Sequence, residues 1–288
     1  VVMEHSYHGD TIGAMSVGAR GVFNAAYAPM LFDVGRVPFP GGDPQSTLDA
    51  LEAECAGGAA AFIVEPLVLG AGGMLMYPPA VLAEMRAICA RHGTLFIADE
   101  VMTAWGRTGT LTACEQADVV PDIMCLSKGL TGGAMPLAVT MASEPIWDAH
   151  YSTDRTRTFY HSSSYTANPV ACAAANANLA TWREEPVPER IAALAAKQQA
   201  HLDTLAVHAM VRNARRCGTI AALELGDPGG SYLSDLGPKL LRRFREADLL
   251  LRPLGNTVYV MPPYCIEDDD LARIWAEIGT AADAIAAD

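Results

Sequence analysis

Two short apolar runs in the sequence end in residues of opposite charge. Residues 94–98 (TLFIA) lead into Asp99 and Glu100, and residues 122–126 (DIMCL) lead into Ser127 and Lys128. Runs of this length and composition read as buried strands. In an open parallel sheet, ligands bind outside the carboxyl ends of the strands, so an acid and an amine at two such ends can share one crevice. Taken singly, each has an ordinary explanation: an aspartate after a strand caps a turn, and a lysine is usually a solvated charge. Together they answer a particular need. A lysine amine adds to an aldehyde, and a carboxylate keeps a pyridine nitrogen protonated so that the ring can act as an electron sink. Pyridoxal phosphate chemistry requires that pairing, with Lys128 as the reactive amine and Asp99 as the ring acid. Gly129, Gly132 and Gly133 after the lysine would let backbone approach a ring or phosphate closely; the plainer reading is a flexible loop.

Such residues need a scaffold. The apolar runs at 60–64, 94–98, 122–126 and 137–141, with a helical pattern at 80–91 between the first two, predict an α/β domain with a largely parallel sheet. Residues 1–7 read as the end of a buried strand. An alanine-rich helix is expected over 168–183, with Pro169 in its first turn, and Glu184, Glu185, Pro186 and Pro188 break it. Beyond that point the pattern predicts a helix over 189–209, a strand near 219–225, a helix near 234–247, short strands at 249–252 and 257–261, and a last helix over 268–286. The expected division is a cofactor-binding large domain at 1–185 and a smaller α+β C-terminal domain at 186–288.

Composition narrows the partners. The 288 residues are 51% hydrophobic and 18% charged, which excludes a disordered chain. Asp and Glu number 33 against 20 Lys and Arg, a net charge of −13 that disfavours nucleic acid and anionic membrane surfaces as partners. The longest apolar stretch, 59–73, is interrupted by Glu65, Pro66 and glycines, so no membrane span is predicted. With no secretory signal visible, the expected compartment is the cytoplasm. Seven cysteines without a C-x-x-C pair read as reduced thiols and not as a metal or disulfide framework.

The runs IADEVMTAWGRTG (97–109), PDIMCLSKGLTGG (121–133) and IVEPLVLGAGGM (63–74) resemble, in order and spacing, those of the class III, fold-type I pyridoxal-phosphate aminotransferases. Within that class, YHGDTIGAMSV (7–17), SYTANPVACAAANA (164–177) and LRPLGNTVYVMPPY (251–264) are most similar to the branch that acts in biotin synthesis. That branch transfers an amino group from S-adenosylmethionine to 8-amino-7-oxononanoate. The resemblance implies that Lys128 is the catalytic lysine and that Tyr7 stacks on the cofactor ring. It implies that Asp99 pairs with the ring nitrogen, that Glu65 lies near the cofactor, and that Ser164 reaches the cofactor phosphate across a homodimer. Arg252 would hold the substrate carboxylate, a task a guanidinium fork suits, with Tyr7 and Tyr259 in the substrate region. Another class III enzyme, acting on an ω-amine, is the neighbouring reading.

Three departures from the family pattern accompany the resemblance. Ala104 and Trp105 stand where the family usually has Gly-Phe, and Ser162, Ser163 and Ala167 stand where Gly-His and Gly are common. The family also has a long segment before YHG that includes a glycine-serine phosphate loop. The expectation is therefore a chain lacking that part, with weakened cofactor retention or no activity of its own.

Overall fold

The computed structural model describes residues 1–21, 24–226 and 234–287. In chain order the first part holds β1 (Val2–Met3), α1 (Ile12–Ser16), β2 (Arg36–Val37), α2 (Pro44–Ala56), β3 (Ala61–Val64), β4 (Val68–Leu69), β5 (Leu75–Met76) and α3 (Pro79–His92). β6 (Leu95–Asp99), β7 (Ile123–Leu126), β8 (Val139–Ala142), α4 (Glu144–His150) and α5 (Pro169–Glu184) complete it. α6 (Val187–Ala206), β9 (Val211–Cys217), β10 (Ile220–Leu225), α7 (Leu236–Glu246), β11 (Thr257–Val260) and α8 (Asp268–Ala287) follow.

The chain forms two compact units. The first comprises 1–67, 77–105 and 112–185. Its sheet runs β2-β1-β3-β6-β7-β8. Every neighbouring pair is parallel except β7 with β8. The mostly parallel α/β architecture read from the sequence is thus observed, with the strand expected at 137–141 lying at 139–142 and running antiparallel at the edge. Phe62 and Phe96 are fully buried neighbours in register, ring edge to face at 6.0 Å. Helices α2 and α3 pack against each other. They bury Leu51 and Cys55 from one and Leu82, Met85 and Cys89 from the other, each large side chain contributing about 2 kcal/mol of apolar burial. Asp43 caps α2 through Gln45 N–H, and Gly93, at φ +68°, ends α3.

The second unit comprises 68–76, 106–111 and 186–288. Its antiparallel sheet runs β11-β10-β9 over a core that includes Leu223, Phe244, Trp275 and Ile278. The two short segments are fastened to it by arginines. Arg215 on β9 donates to the Met74 and Gly73 carbonyls at 2.8 and 2.7 Å, and Arg107 donates to the Pro262 carbonyl at 2.6 Å while lying over the Tyr264 ring. Backbone meets backbone at Gly218: a Cβ there would come within 2.2 Å of the Thr108 carbonyl carbon.

Several elements differ from the sequence reading. Residues 249–252 form no strand; Leu249 is buried, Leu250 is exposed, and only a bridge between Leu254 and Thr257 follows. β9 is unforeseen because VRNARRC carries three arginines, which the fold uses as donors. Pro188 lies in the first turn of α6 instead of breaking a helix, since a first-turn proline has no intrahelical N–H to lose. Among the described residues no helix is long and apolar enough to cross a membrane.

Candidate active site

The sheet delivers chemistry-bearing side chains from the carboxyl ends of adjacent parallel strands. Val64 of β3 and Ala98 of β6 are register partners, so Glu65 and Asp99 emerge side by side at the end of the sheet. The loop after β1 returns over both. Tyr7 N–H donates to Glu65 Oε2 at 3.0 Å, and His8 Nδ1 lies 2.7 Å from Asp99 Oδ2. Glu65 is buried, and its backbone carbonyl accepts from the buried Tyr77 hydroxyl at 2.9 Å.

Asp99 is only 7% exposed, and Val101 N–H donates to its second oxygen at 3.1 Å. Its two oxygens are therefore oriented before anything binds. His8 is the residue that sequence reasoning missed. Its side chain is 2% exposed, and its Nε2 is buried with no hydrogen-bond partner among the described residues. Its signal in the sequence was its place directly after Tyr7, but nothing local names its partner. The tyrosine itself is 38% exposed; burial and a hydrogen bond to Asp10 raise its phenol above the ordinary value.

Lys128 opens a one-turn 3-10 segment, Lys128–Thr131, directly after β7. Its side chain is exposed, forms no ion pair among the described residues, and its backbone φ is +45°. Ser127 just before it donates to the Leu137 carbonyl at 2.7 Å, and Asn178 of α5 donates to the carbonyls of Gly129 and Leu130 at 2.9 and 3.2 Å. The bare face of Gly129 is filled by Trp105, since a Cβ there would stand 2.7 Å from Trp105 Cβ. This corrects the expectation that Gly129 leaves room for a ligand. Trp105 joins Ala104, Leu130 and Ala175 in one buried cluster, so the Ala-Trp departure from the family pattern is paid in core packing.

Glu100, adjacent to Asp99, is fully buried and faces away from this cluster of polar groups. It accepts from Thr103 Oγ1 at 2.5 Å, Ala113 N–H at 3.1 Å and Cys114 N–H at 2.8 Å. It thereby closes the loop that leaves β6 and returns at Ala113.

The other expected site residues stand elsewhere. Ser164 is exposed, in the turn 164–167 that precedes α5, and no hydrogen bond joins it to the cluster among the described residues. Arg252 and Tyr259 belong to the second unit. There Arg252 is exposed without an ion pair among the described residues, and Tyr259 on β11 is half-buried. Burial raises its phenol, and the nearby Arg252 charge opposes that rise.

Tyr7, Glu65, Asp99 and Lys128 thus stand at one sheet end, with an oriented buried carboxylate, an accessible amine and a part-exposed aromatic ring. That donor set fits pyridoxal phosphate: the acid suits a protonated ring nitrogen, the amine an aldehyde, and the aromatic face a flat heterocycle.

Comparison with known proteins agrees. The family profile described as "Aminotransferase class-III" matches residues 1–281. The adenosylmethionine-8-amino-7-oxononanoate aminotransferase of Synechococcus elongatus is 44% identical over 99% of this chain and 69% of its own length. The enzyme of the same name from Geobacter sulfurreducens is 36% identical over 92% of this chain, which spans 63% of that relative. An omega-aminotransferase of Caulobacter vibrioides is 34% identical over 94% of the chain and 65% of its own length. Among solved structures, the Methanocaldococcus jannaschii adenosylmethionine-8-amino-7-oxononanoate aminotransferase superposes with TM-score 0.90 at 29% identity, over 98% of this chain and 67% of that one. An amine transaminase from an uncultivated Pseudomonas species, in its PLP-bound form, gives TM-score 0.90 at 30% identity over 99% of this chain and 69% of that one.

Proposed function

The chain belongs to the class III aminotransferases, and on that footing we propose that it serves the transfer of an amino group from S-adenosylmethionine to 8-amino-7-oxononanoate, giving 7,8-diaminononanoate for biotin synthesis. The observation that supports this best is the convergence of Tyr7, His8, Glu65 and Asp99 beside the strand that ends in Lys128. Similarity to enzymes named for that reaction supplies the substrates.

Pyridoxal phosphate, when bound, would supply an electron sink for the carbon that loses its proton. Tyr7, Glu65, Asp99 and Lys128 would hold it, with Ser164 contributing a neutral hydroxyl to a phosphate oxygen from a second copy of the chain. The Asp99 carboxylate, oriented by His8 and Val101 N–H, would pair with a protonated ring nitrogen by opposite-charge interaction. Lys128 Nζ takes the proton from the reacting carbon of the amino donor as a general base in the first half of the exchange, and in the second half delivers a proton to the carbon of the oxo-acid that gains the amino group, as a general acid. The free guanidinium of Arg252 binds the carboxylate of the oxo-acid, beside Tyr259. In this reading, residues 1–185 are the cofactor-binding domain, residues 186–288 the smaller domain, and the enzyme works as a cytoplasmic homodimer. The exposed aromatic side chains Trp147, Tyr151, Phe159, Tyr160 and Tyr165 of the first unit support the pairing of two copies.

The test is to add pyridoxal phosphate, reduce with borohydride, map the labelled peptide, and then assay S-adenosylmethionine and ω-amine donors separately. Label on Lys128 and turnover with S-adenosylmethionine are expected. Turnover only with an ω-amine would favour the second reading, which the 34% identity to an omega-aminotransferase supports. No label on Lys128 would sink both.

A further inference from the structure

We propose that Asn178 on α5 is a positioning residue for Lys128, holding the strained turn that presents its amine. The inference rests on the reading of Lys128 as the cofactor-binding lysine. The left-handed region crowds the Cβ of a non-glycine residue against the backbone, so Lys128 at φ +45° stays there only if its surroundings determine it.

Those surroundings are specific. Inside the turn, Leu130 N–H donates to the Ser127 carbonyl at 2.9 Å, Gly132 N–H to the Gly129 carbonyl at 3.0 Å, and Gly133 N–H to the Lys128 carbonyl at 3.2 Å. These bonds link the turn to itself and could move with it. Ser127 Oγ ties the start of the turn to the Leu137 carbonyl, and the Asn178 side chain ties its next two residues to α5. Its Nδ2 reaches both the Gly129 and Leu130 carbonyls, the two that follow Lys128. Its Oδ1 closes over Gly132, where a Cβ would lie 3.5 Å away.

The amide is in turn fixed by the helix that bears it. α5 is capped by Asn168 through Val170 N–H, and its Ala175, Leu179 and Trp182 pack in the same cluster as Leu130 and Trp105. The turn is therefore held by α5 and by Trp105, which lies on Gly129 and packs against Trp182 of the same helix. An amide is suited to this place because its NH₂ group offers two donors to two carbonyls. A carboxylate of the same size would face both carbonyls with acceptors only.

The experiment compares Asn178→Asp and Asn178→Leu with the control Asn176→Ala, an exposed position on the same helix. In cofactor-free protein, the two Asn178 variants are expected to raise amide hydrogen exchange at Gly132 and Gly133 about tenfold and to change the rate at which trinitrobenzenesulfonate labels Lys128. In cofactor-loaded protein, kcat should fall about tenfold to a hundredfold, the scale of a 1 Å misplacement, with KM for the amino donor within about twofold. The control should match wild type throughout. Unchanged exchange, labelling and kcat in both variants would overturn the proposal, and so would equal changes in the control. A wild-type protein that takes no borohydride label refutes the cofactor reading instead, and the exchange measurement still reports on the turn.

Discussion

His8 shows how much of this site depends on a single long-range bond. Its ring is buried against Asp99, and the two residues are 91 positions apart in the chain. A hydrogen bond to a charged group contributes roughly 1.5–3 kcal/mol, and here it also fixes which way the carboxylate points. His8→Phe, which keeps an aromatic ring, though a larger one, and removes its nitrogens, is expected to lower kcat/KM about tenfold to a hundredfold in steady-state assays of the cofactor-loaded protein. Unchanged kinetics would show that Val101 N–H orients Asp99 without help. Asp99 and Lys128 stood out in the sequence as candidates because each follows a recognisable strand, and the end of a parallel strand is a place where ligands bind; Glu65 entered through the family resemblance. His8 and Asn178 did neither. Their roles are set by partners that only the folded chain brings near.

Among the elements, the loop from Glu100 to Cys114 is closed by a buried carboxyl. Burial raises the Glu100 carboxyl above its ordinary value of 4.5, outweighing the opposing effect of its bonds to Thr103, Cys114 and Ala113. A carboxyl that binds its proton more tightly in the folded state gives stability that is full below the unfolded value and is lost as pH rises through the folded one. Glu100→Gln cannot titrate. The stability of wild type minus that of the variant, from urea unfolding across a pH series, is therefore expected to decrease as pH rises above about 4.5. A difference that grows with pH would mean that the hydrogen bonds outweigh burial. The alternation of strands and helices in the first unit could be read because its strands are apolar runs. β9 could not, since three of its seven residues are arginines, and Arg215 and Arg216 find acceptors at Gly73, Met74 and Gln199 in other segments.

At the scale of the whole molecule, the second unit takes in 68–76 and 106–111 along with 186–288, and no pattern in the sequence marks those two short segments as belonging with the later residues. Both segments continue from strands of the first unit, so apolar periodicity could not separate them. What assigns them is a set of side-chain and backbone contacts made after folding. The chain passes from one unit to the other after residues 67, 76, 105, 111 and 185. Residues 186–288 made as a separate polypeptide would leave Arg215 without the Met74 and Gly73 carbonyls, and Tyr264 without Arg107. Circular dichroism of that fragment is expected to show less ordered structure than its share of the full chain, and a fully folded fragment would contradict this. A boundary visible in space is thus no seam along which the polypeptide can be cut, and gene fusion or recombination at residue 185 would split a body that the chain has threaded together from three separate stretches.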